Sequence, residues 1–178
     1  MTRTNQLEAW LAQENVARAA VEAGAGAGIL SQAQLAGRSG LDILRAMLRG
    51  ELPSPPIART LDFCLLEVDE GRVVFQGTPG PAYLNPMGTV HGGWYATLLD
   101  SAVACAVHTM MPAGRGYTTA ELSVNLVRAL GSKAPRVRAE GKVVHCGRQL
   151  ATAEGRLYGP DGTLYAHATT TCLVFDLK

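Results

Sequence analysis

The sequence predicts an α+β fold in which one antiparallel sheet curves around a single long helix. Six strand-like segments, rich in Val, Thr, Leu and aromatic residues, occupy most of the chain from residue 61 onward. One long helical segment, which begins near His91, interrupts them and is apolar on nearly every side, as expected of a helix that a sheet encloses. The predicted order is strand, strand, long helix and then four strands.

Short turn-forming sequences separate neighbouring strand segments, as they do in β-hairpins. These sequences are Glu70-Gly71, Cys146-Gly147 and Pro160-Asp161-Gly162. The strand segments read DFCLLEV, GRVVFQGTP, TTAELSVNLV, PRVRAEGKVVHC, RQLATAEGRLYG and TLYAHATTTCLVF. An antiparallel sheet must cover its apolar face, and the long helix is the element available. One long helix inside a strongly curved sheet is the hotdog architecture.

The chain ahead of these strands is predicted to be helical. Apolar residues recur at helical spacing in residues 5–22, and the GAGAG run at 24–28 is expected to end that helix and act as a flexible joint. A second helix is expected after Ser39, which begins a Ser-x-x-Asp capping box. We therefore divide the chain into an N-terminal helical extension of residues 1–38 and a main domain of residues 39–178.

The overall charge gives no reason to expect a nucleic-acid partner. The formal net charge is +1, and residues 1–56 hold five basic and five acidic residues, so the N-terminal helices present no basic recognition surface. Residues 101–160 differ, because they hold eight basic and three acidic residues. This local excess is either a solvated sheet face or a seat for a polyanionic ligand.

Cysteine usage and hydropathy predict a cytoplasmic protein without a membrane span. The four cysteines form no CxxC pair, and no secretory hydrophobic region stands near the N-terminus, so we expect reduced thiols. The longest apolar run, residues 94–111, contains Asp100. A central Asp costs about 2.5–3.5 kcal/mol on membrane insertion, and a buried helix of a soluble protein is therefore expected.

A set of polar and glycine residues surrounds the predicted start of the long helix. Its members are Asn85, His91, Gly92, Gly93 and Asp100, followed later by Thr118-Thr119-x-Glu121-Leu122 and Gly147-Arg148. With the strand order, this set resembles the hotdog acyl-CoA thioesterases, and the nearest branch looks like the phenylacetate-pathway and 4-hydroxybenzoyl-CoA thioesterase group. The resemblance covers residues 40–176.

Thioester hydrolysis explains why such residues stand at a helix start. The reaction needs a polarised carbonyl and an activated water or nucleophile, and a helix N-terminus offers unpaired N–H groups. Glycine lets an acyl carbonyl approach the backbone closely, so the Gly92 N–H is the candidate oxyanion donor. The resemblance implies that Asn85 places the carbonyl or the water, that His91 shapes the turn, and that Asp100 is the base or nucleophile.

Each of these residues also has a structural interpretation. Asn85 with the following proline is typical of a turn, His91 of an N-cap, and Gly92-Gly93 of close helix–sheet packing. The sequence departs from many relatives at Ala104, one turn after the acid, where a Ser or Thr holds a water or the carboxylate. Ser101 lies about 100° round the helix and is no obvious substitute. Nucleophile and general base therefore both stay open for Asp100.

Substrate contacts are predicted along the same helix and in the basic segment. We expect Trp94, Leu98 and Tyr117 to face the acyl group, and Arg148, with Arg128 second, to bind the CoA phosphates. The remaining predicted substrate-binding residues are Gly93, Thr118 and Gly147.

Other catalytic chemistry is not expected. Cys105 and His108 stand three residues apart on an apolar helix, which is typical of core packing. The histidines show no zinc-like spacing, and the P-loop and dinucleotide patterns are absent. We therefore expect no metal and no cofactor, since CoA is part of the substrate.

The expected assembly is a homodimer with shared active sites. Eight residues of helix separate Gly92 from Asp100 by about 12 Å, too far for both to reach one thioester carbonyl. The resemblance implies the same arrangement, with dimers usually paired into tetramers. The alternative function is a non-catalytic hotdog module that senses acyl-CoA, against which the presence of Asp100 argues.

Overall fold

The computed structural model describes residues 3–177 and confirms the predicted order of elements. The N-terminal helices are α1 (Arg3–Ala23), α2 (Gln32–Leu35), α3 (Gly40–Leu48) and α4 (Pro56–Thr60). The remaining elements are β1 (Phe63–Asp69), β2 (Arg72–Gly77), a 3-10 turn (Pro81–Tyr83), α5 (Gly92–Thr109), β3 (Arg115–Leu126), β4 (Val137–Cys146), β5 (Leu150–Tyr158) and β6 (Leu164–Asp176).

The six strands form one antiparallel sheet in the order β1-β2-β4-β5-β6-β3. The predicted hairpins join β1 to β2, β4 to β5 and β5 to β6. Strands β1 and β3 are the two edges. The sheet wraps α5, which confirms the hotdog architecture.

Helix α5 is seated tightly on the concave face of the sheet. Small residues in the strands permit this approach: a Cβ at Gly141 would lie 2.3 Å from the Ala102 carbonyl oxygen, and one at Gly155 would lie 2.6 Å from Val103 Cγ1. Glycine at these strand positions lets helix and sheet backbones meet. Leu98, Leu99 and Val103 are fully buried in this contact.

One stripe of α5 is not covered by the sheet, and we call it the open side. Its residues, which are all partly exposed, are Thr97, Asp100, Ser101, Cys105 and His108. Helix α3 lies near its C-terminal end, where the Gly40 N–H donates to the Met111 carbonyl at 2.9 Å. In the predicted capping box, the Ser39 hydroxyl accepts a hydrogen bond from the Asp42 N–H at 3.2 Å. This bond confirms the predicted start of α3.

Helix α1 packs on the outer face of the sheet through a buried charge network. Glu14 is 2 % exposed; its carboxylate accepts from Arg136 at 2.5 Å and from Gln76 at 2.8 Å. The Arg138 guanidinium lies 4.3 Å from the ring of Trp10. A buried carboxylate needs such partners, so the network fixes where α1 lies.

The segment after α1 is tied to the chain that follows α3. The Ala25 N–H donates to the Gly50 carbonyl and the Gly28 N–H to the Ser54 carbonyl, each at 2.9 Å. Ala27 and Ser54 form a parallel bridge. Residues 24–28 are thus held in place and are not the free joint expected from composition. The boundary between residues 38 and 39 stays a prediction.

Two further properties of residues 3–177 bear on the earlier expectations. No helix among them has the length and hydropathy needed to cross a membrane. The four cysteines are free thiols.

Candidate functional site

The N-terminus of α5 is capped by the side chain that precedes it. The backbone of His91 is extended, and its Nδ1 accepts a hydrogen bond from the Gly93 N–H at 2.9 Å. The Gly92 N–H has no acceptor among residues 3–177. Unpaired N–H groups and the positive end of the helix dipole attract developing negative charge. Gly92 thus offers a free donor where the sequence predicts an oxyanion donor.

The loop before α5 is organised by Asn85. Its Oδ1 accepts from the N–H groups of Met87 at 2.9 Å and Thr89 at 3.2 Å, and its Nδ2 donates to Thr89 Oγ1 at 2.8 Å. One of the two amide protons has no acceptor in the described part of the chain. Asn85 therefore shapes the loop and retains one donor for a substrate or a water.

Gly92 is also constrained by packing against the far end of β3. A Cβ at position 92 would lie 2.9 Å from Leu126 Cδ1. Leu126 is 53 % exposed, so its side chain closes over the helix end from the solvent side. A neighbouring strand favours glycine here, in addition to the substrate approach predicted from the sequence.

Asp100 lies about two turns along α5. Its apolar surroundings in the sequence suggest a buried side chain, but in the structure it is half-buried. Thr119 Oγ1 on β3 donates to Asp100 Oδ1 at 3.2 Å. A β-bulge between Thr119 and Glu121 interrupts the register of β3 with β6, and bulges re-aim side chains beside functional sites. The carboxylate is thus oriented by a hydroxyl from a strand.

Sequence reasoning missed Thr119 as the partner of Asp100. Ser101 donates to the Thr97 carbonyl at 2.8 Å, which supports the earlier conclusion that it does not replace the missing hydroxyl at Ala104. Thr118, predicted to bind substrate, is exposed and alternates to the opposite face of β3. Strand alternation within the Thr118-Thr119 pair was the signal that could have singled out Thr119.

Two of the three residues predicted to face the acyl group lie in the core. Trp94 and Leu98 are 4 % and 0 % exposed, and both pack against Gly77 of β2, where an added Cβ would lie 2.8 Å from each side chain. Tyr117 instead lines a cavity on the open side of α5. Because α5 is apolar nearly all round, its periodicity does not reveal which stripe faces the sheet.

Comparison with known proteins identifies the family. The model of the Thioesterase superfamily matches residues 87–166. A phenylacetic acid degradation-related protein from Ralstonia eutropha JMP134 is 32 % identical, with a TM-score of 0.67 over 73 % of this chain and 98 % of that chain. The chain belongs to the hotdog thioesterases of the phenylacetate-pathway type.

Other comparisons agree with this family. A variant of the phenylacetic acid degradation protein PaaI from Thermus thermophilus is 30 % identical to this thioesterase, with a TM-score of 0.61 over 66 % of this chain and 97 % of that chain. No curated protein matches the sequence. The family assigns thioester hydrolysis as the reaction. The matched range includes Gly92 and Asp100, whereas Asn85 lies just before it.

Three titratable side chains of the thioesterase meet beside the open side of α5. Burial raises the pKa of Cys105 to about 12, with the charge of Asp100 adding to the effect. Burial also raises the pKa of Tyr117 well above its usual value and lowers the pKa of His108 to about 4. All three are uncharged at pH 7. A thiol held protonated is a poor nucleophile, which agrees with the expectation that Cys105 and His108 form no catalytic pair.

Because His108 is kept neutral in the folded protein, stability is expected to fall on mild acidification. The unfolded chain binds the proton near pH 6.5 and the folded chain only near pH 4, so lowering the pH from 7.5 to 5.5 should cost about 1.3 kcal/mol. Denaturant unfolding of the wild type and of His108→Phe at both pH values checks this. An equal loss in the two proteins would remove His108 as the cause.

Ion pairs account for half of the basic residues in segment 101–160. Four of them pair with carboxylates: Arg115 with Asp176 at 3.2 Å, Arg136 with Glu14 at 2.5 Å, Arg138 with Glu67 at 3.4 Å and Lys142 with Glu140 at 2.7 Å. Within residues 3–177 the other four make no salt bridge: Arg128, Lys133, Arg148 and Arg156. The two arginines assigned to CoA phosphates, Arg128 and Arg148, are exposed and have no carboxylate partner in the described part of the chain.

The remaining predicted positions lie in turns. Gly147 and Arg148 form the turn between β4 and β5, where the Gly147 N–H donates to the Leu150 carbonyl at 2.8 Å. Arg128 follows β3, and its carbonyl accepts from the Tyr95 hydroxyl at 3.4 Å. Residues 3–177 contain no cluster of side chains suited to hold a metal ion.

Proposed function

We propose that the protein is an acyl-CoA thioesterase that hydrolyses an aryl- or medium-chain acyl-CoA to the free acid and CoA. One observation carries the proposal: a single uninterrupted helix has a free N–H at Gly92 and a hydroxyl-bonded carboxylate at Asp100. The N–H stabilises the oxyanion that forms when the thioester carbonyl is attacked. Asp100 either removes a proton from the attacking water or attacks the carbonyl itself.

The length of α5 supports a site that is built from two chains. Residues 92 and 100 are separated by about 12 Å along an unbroken helix, whereas both groups must lie about 3 Å from the reacting atoms. We infer that Gly92 of one subunit faces Asp100 of a two-fold-related partner. An isologous dimer then contains two identical sites.

The edge strand β3 supplies the surface for this pairing. Strand β1 is flanked by α1, α3 and α4, whereas the main contacts of β3 among the described elements are with β6 and α5. Within one chain, the Leu126 side chain lies next to Gly92, and the Thr119 side chain is hydrogen-bonded to Asp100. The bulge in β3 adds one residue between Thr119 and Glu121, so antiparallel pairing of two β3 strands that sets residue 126 opposite residue 119 places the two-fold axis at Ser123. Leu126 and Val127, which are 53 % and 54 % exposed, would be covered.

The same pairing brings together the two arginines assigned to CoA. Arg128 follows the end of β3, and the Arg148 carbonyl accepts from Arg115 at its beginning. Antiparallel pairing puts the end of one β3 beside the start of the other, so Arg128 approaches Arg148 of the partner subunit. Two guanidinium forks suit the pyrophosphate and 3′-phosphate of CoA.

Arg148→Ala is expected to raise KM for acyl-CoA by about tenfold, because a charge-assisted hydrogen bond contributes about 1.5 kcal/mol. KM for a short acyl thioester without the nucleotide should stay within about twofold of the wild type, since this substrate has no phosphates. Steady-state kinetics on the two substrates provide the measurement. Arg156→Ala, another exposed arginine without a salt bridge, is the matched control. Equal effects on both substrates would assign Arg148 to structure.

A turnover panel tests the proposed function itself. Free CoA should be released from aryl- and medium-chain acyl-CoAs by the purified protein, as detected with a thiol reagent. Tight acyl-CoA binding without turnover would favour the sensor function instead, and neither binding nor turnover would remove CoA from the substrate. We propose that the dimers pair into tetramers in the cytoplasm, without nucleic acid or membrane, and sedimentation of the purified protein tests the assembly.

A further inference from the structure

A cavity of about 410 Å³ lies on the open side of α5 and reaches the N-terminal extension. We call the part lined by Cys105, His108 and Tyr117 its inner end, and the part lined by Ala17 and Val21 of α1 its far end. The volume falls in the range of about 300–1,000 Å³ that is typical of small-molecule sites. The cavity thus connects the central helix with a helix that packs on the outside of the sheet.

The inner end of the cavity is adjacent to the carboxylate of the proposed site. Tyr117 and Thr119 stand two residues apart on the same face of β3, and Thr119 donates to Asp100 at 3.2 Å. The ring centroids of Tyr117 and His108 are 5.2 Å apart. A thioester carbonyl held at Asp100 would therefore have its acyl substituent beside Tyr117.

The walls of the cavity favour an apolar occupant. Between the two ends they are formed mainly by apolar side chains of α3, β1 and β2, among them Leu44, Met47, Phe63, Leu65 and Phe75. Cys105, His108 and Tyr117 carry no charge at pH 7, as argued above. Charged lining residues come from α1 and α4, and one of them, Arg18 of α1, is paired with Glu14 at 2.8 Å and Asp62 at 2.7 Å.

We propose that the acyl chain of the substrate lies in this cavity and that α1 forms its end wall, so that the N-terminal extension limits the length of the acyl chain. The proposal rests on the proposed function for the position of the thioester. The buried network around Glu14 holds α1 on the sheet and so fixes the position of the end wall. Helices α1 and α3 lie outside the family match to residues 87–166, so this limit belongs to a part of the chain that the superfamily model does not describe.

Narrowing the far end should shorten the acyl chains that the enzyme accepts. Ala17 is 7 % exposed and lines the cavity. The variant Ala17→Leu adds three carbons to this side chain. We expect kcat/KM for decanoyl-CoA to fall by at least about tenfold, while that for butanoyl-CoA stays within about twofold, since one methylene alone discriminates about tenfold or more. Ala19→Leu, the same change on the exposed side of α1, is the control and should leave both values unchanged.

Widening the same end should have the opposite effect. Val21→Ala removes two methyl groups from the lining and should raise kcat/KM for dodecanoyl-CoA relative to octanoyl-CoA by about threefold or more. Thermal unfolding verifies that each variant is folded. If folded Ala17→Leu and Val21→Ala both keep the wild-type chain-length profile, α1 does not form the end wall.

Binding of free fatty acids separates this proposal from the proposed function. Isothermal titration should show that the wild type and Ala19→Leu bind decanoate more tightly than butanoate, and that Ala17→Leu loses this preference. A wild type that hydrolyses no acyl-CoA but shows this pattern would refute the proposed function and leave the cavity assignment standing. Decanoate binding that is absent from the wild type or unaltered in Ala17→Leu would overturn the assignment.

Discussion

Asp100→Asn is expected to lower kcat by about 100- to 10,000-fold, the usual contribution of a general base. The amide has nearly the shape of the carboxylate, and its Oδ1 can still accept from Thr119 Oγ1, which lies 3.2 Å from Asp100 Oδ1. The fold should therefore be retained, whereas neither proton removal nor nucleophilic attack is possible for an amide. Steady-state kinetics on the best acyl-CoA of the panel, together with thermal unfolding, provide the measurement.

Asp69→Asn is the matched control for this variant. Asp69 ends β1 and its side chain is 64 % exposed, so the same chemical change there should leave kcat unaltered. If Asp100→Asn retained near-wild-type kcat while folded, Asp100 would have no part in the mechanism.

Labelled water distinguishes the two roles that the geometry permits for Asp100. With enzyme in excess over substrate in ¹⁸O-water, general-base catalysis delivers the label to the product acid in the first turnover. A nucleophilic carboxylate forms an anhydride and releases CoA, and water attack at the Asp100 carbonyl then leaves the label in the protein. Mass spectrometry of the product acid and of the peptide containing Asp100 reads out the difference.

Mixing two inactive variants is expected to restore activity if sites are shared between subunits. Asp100→Asn removes the attacking group, and Gly92→Pro removes the oxyanion N–H. A mixed dimer has one doubly damaged site and one intact site. Random reassembly of equal amounts makes half of the dimers mixed, so about a quarter of wild-type activity should return.

The Gly92→Pro variant needs a control that separates the loss of the N–H from the addition of a side chain. Proline fits the first position of a helix, and the extended backbone of His91 suits a residue before proline. A Cβ at position 92 would lie 2.9 Å from Leu126 Cδ1, so any side chain at this position displaces Leu126 whether or not the N–H is kept. Gly92→Ala introduces the same Cβ but keeps the N–H, so it should remain active if the N–H is what matters.

The mixing experiment has a clear negative result. If mixed dimers are verified by two affinity tags and remain inactive while each parent is folded, both groups act within one chain and the shared site is wrong. Inactivity of Gly92→Ala equal to that of Gly92→Pro would show instead that packing at Leu126, and not the N–H, is responsible.

The sequence alone determined the order of the elements and the ends of several of them. Strand periodicity and hairpin turns are local signals, and they predicted the strands around α5 because each depends on neighbouring residues. The Ser39 capping box and the His91 N-cap formed as predicted, since both bonds span three residues or fewer. The separation of Gly92 from Asp100 also followed from helix geometry alone.

Only the tertiary structure decided which side chains meet at the site. Thr119 reaches Asp100 across 19 residues and Arg136 reaches Glu14 across 122, distances over which sequence spacing gives no information. Helix α5 is apolar nearly all round, so its sequence pattern does not tell which side faces the sheet. Packing against glycines of the sheet buries Trp94 and Leu98 in the core. The stripe that contains Asp100 is left uncovered. The physical reason is that side-chain burial is set by which surfaces the folded chain brings together.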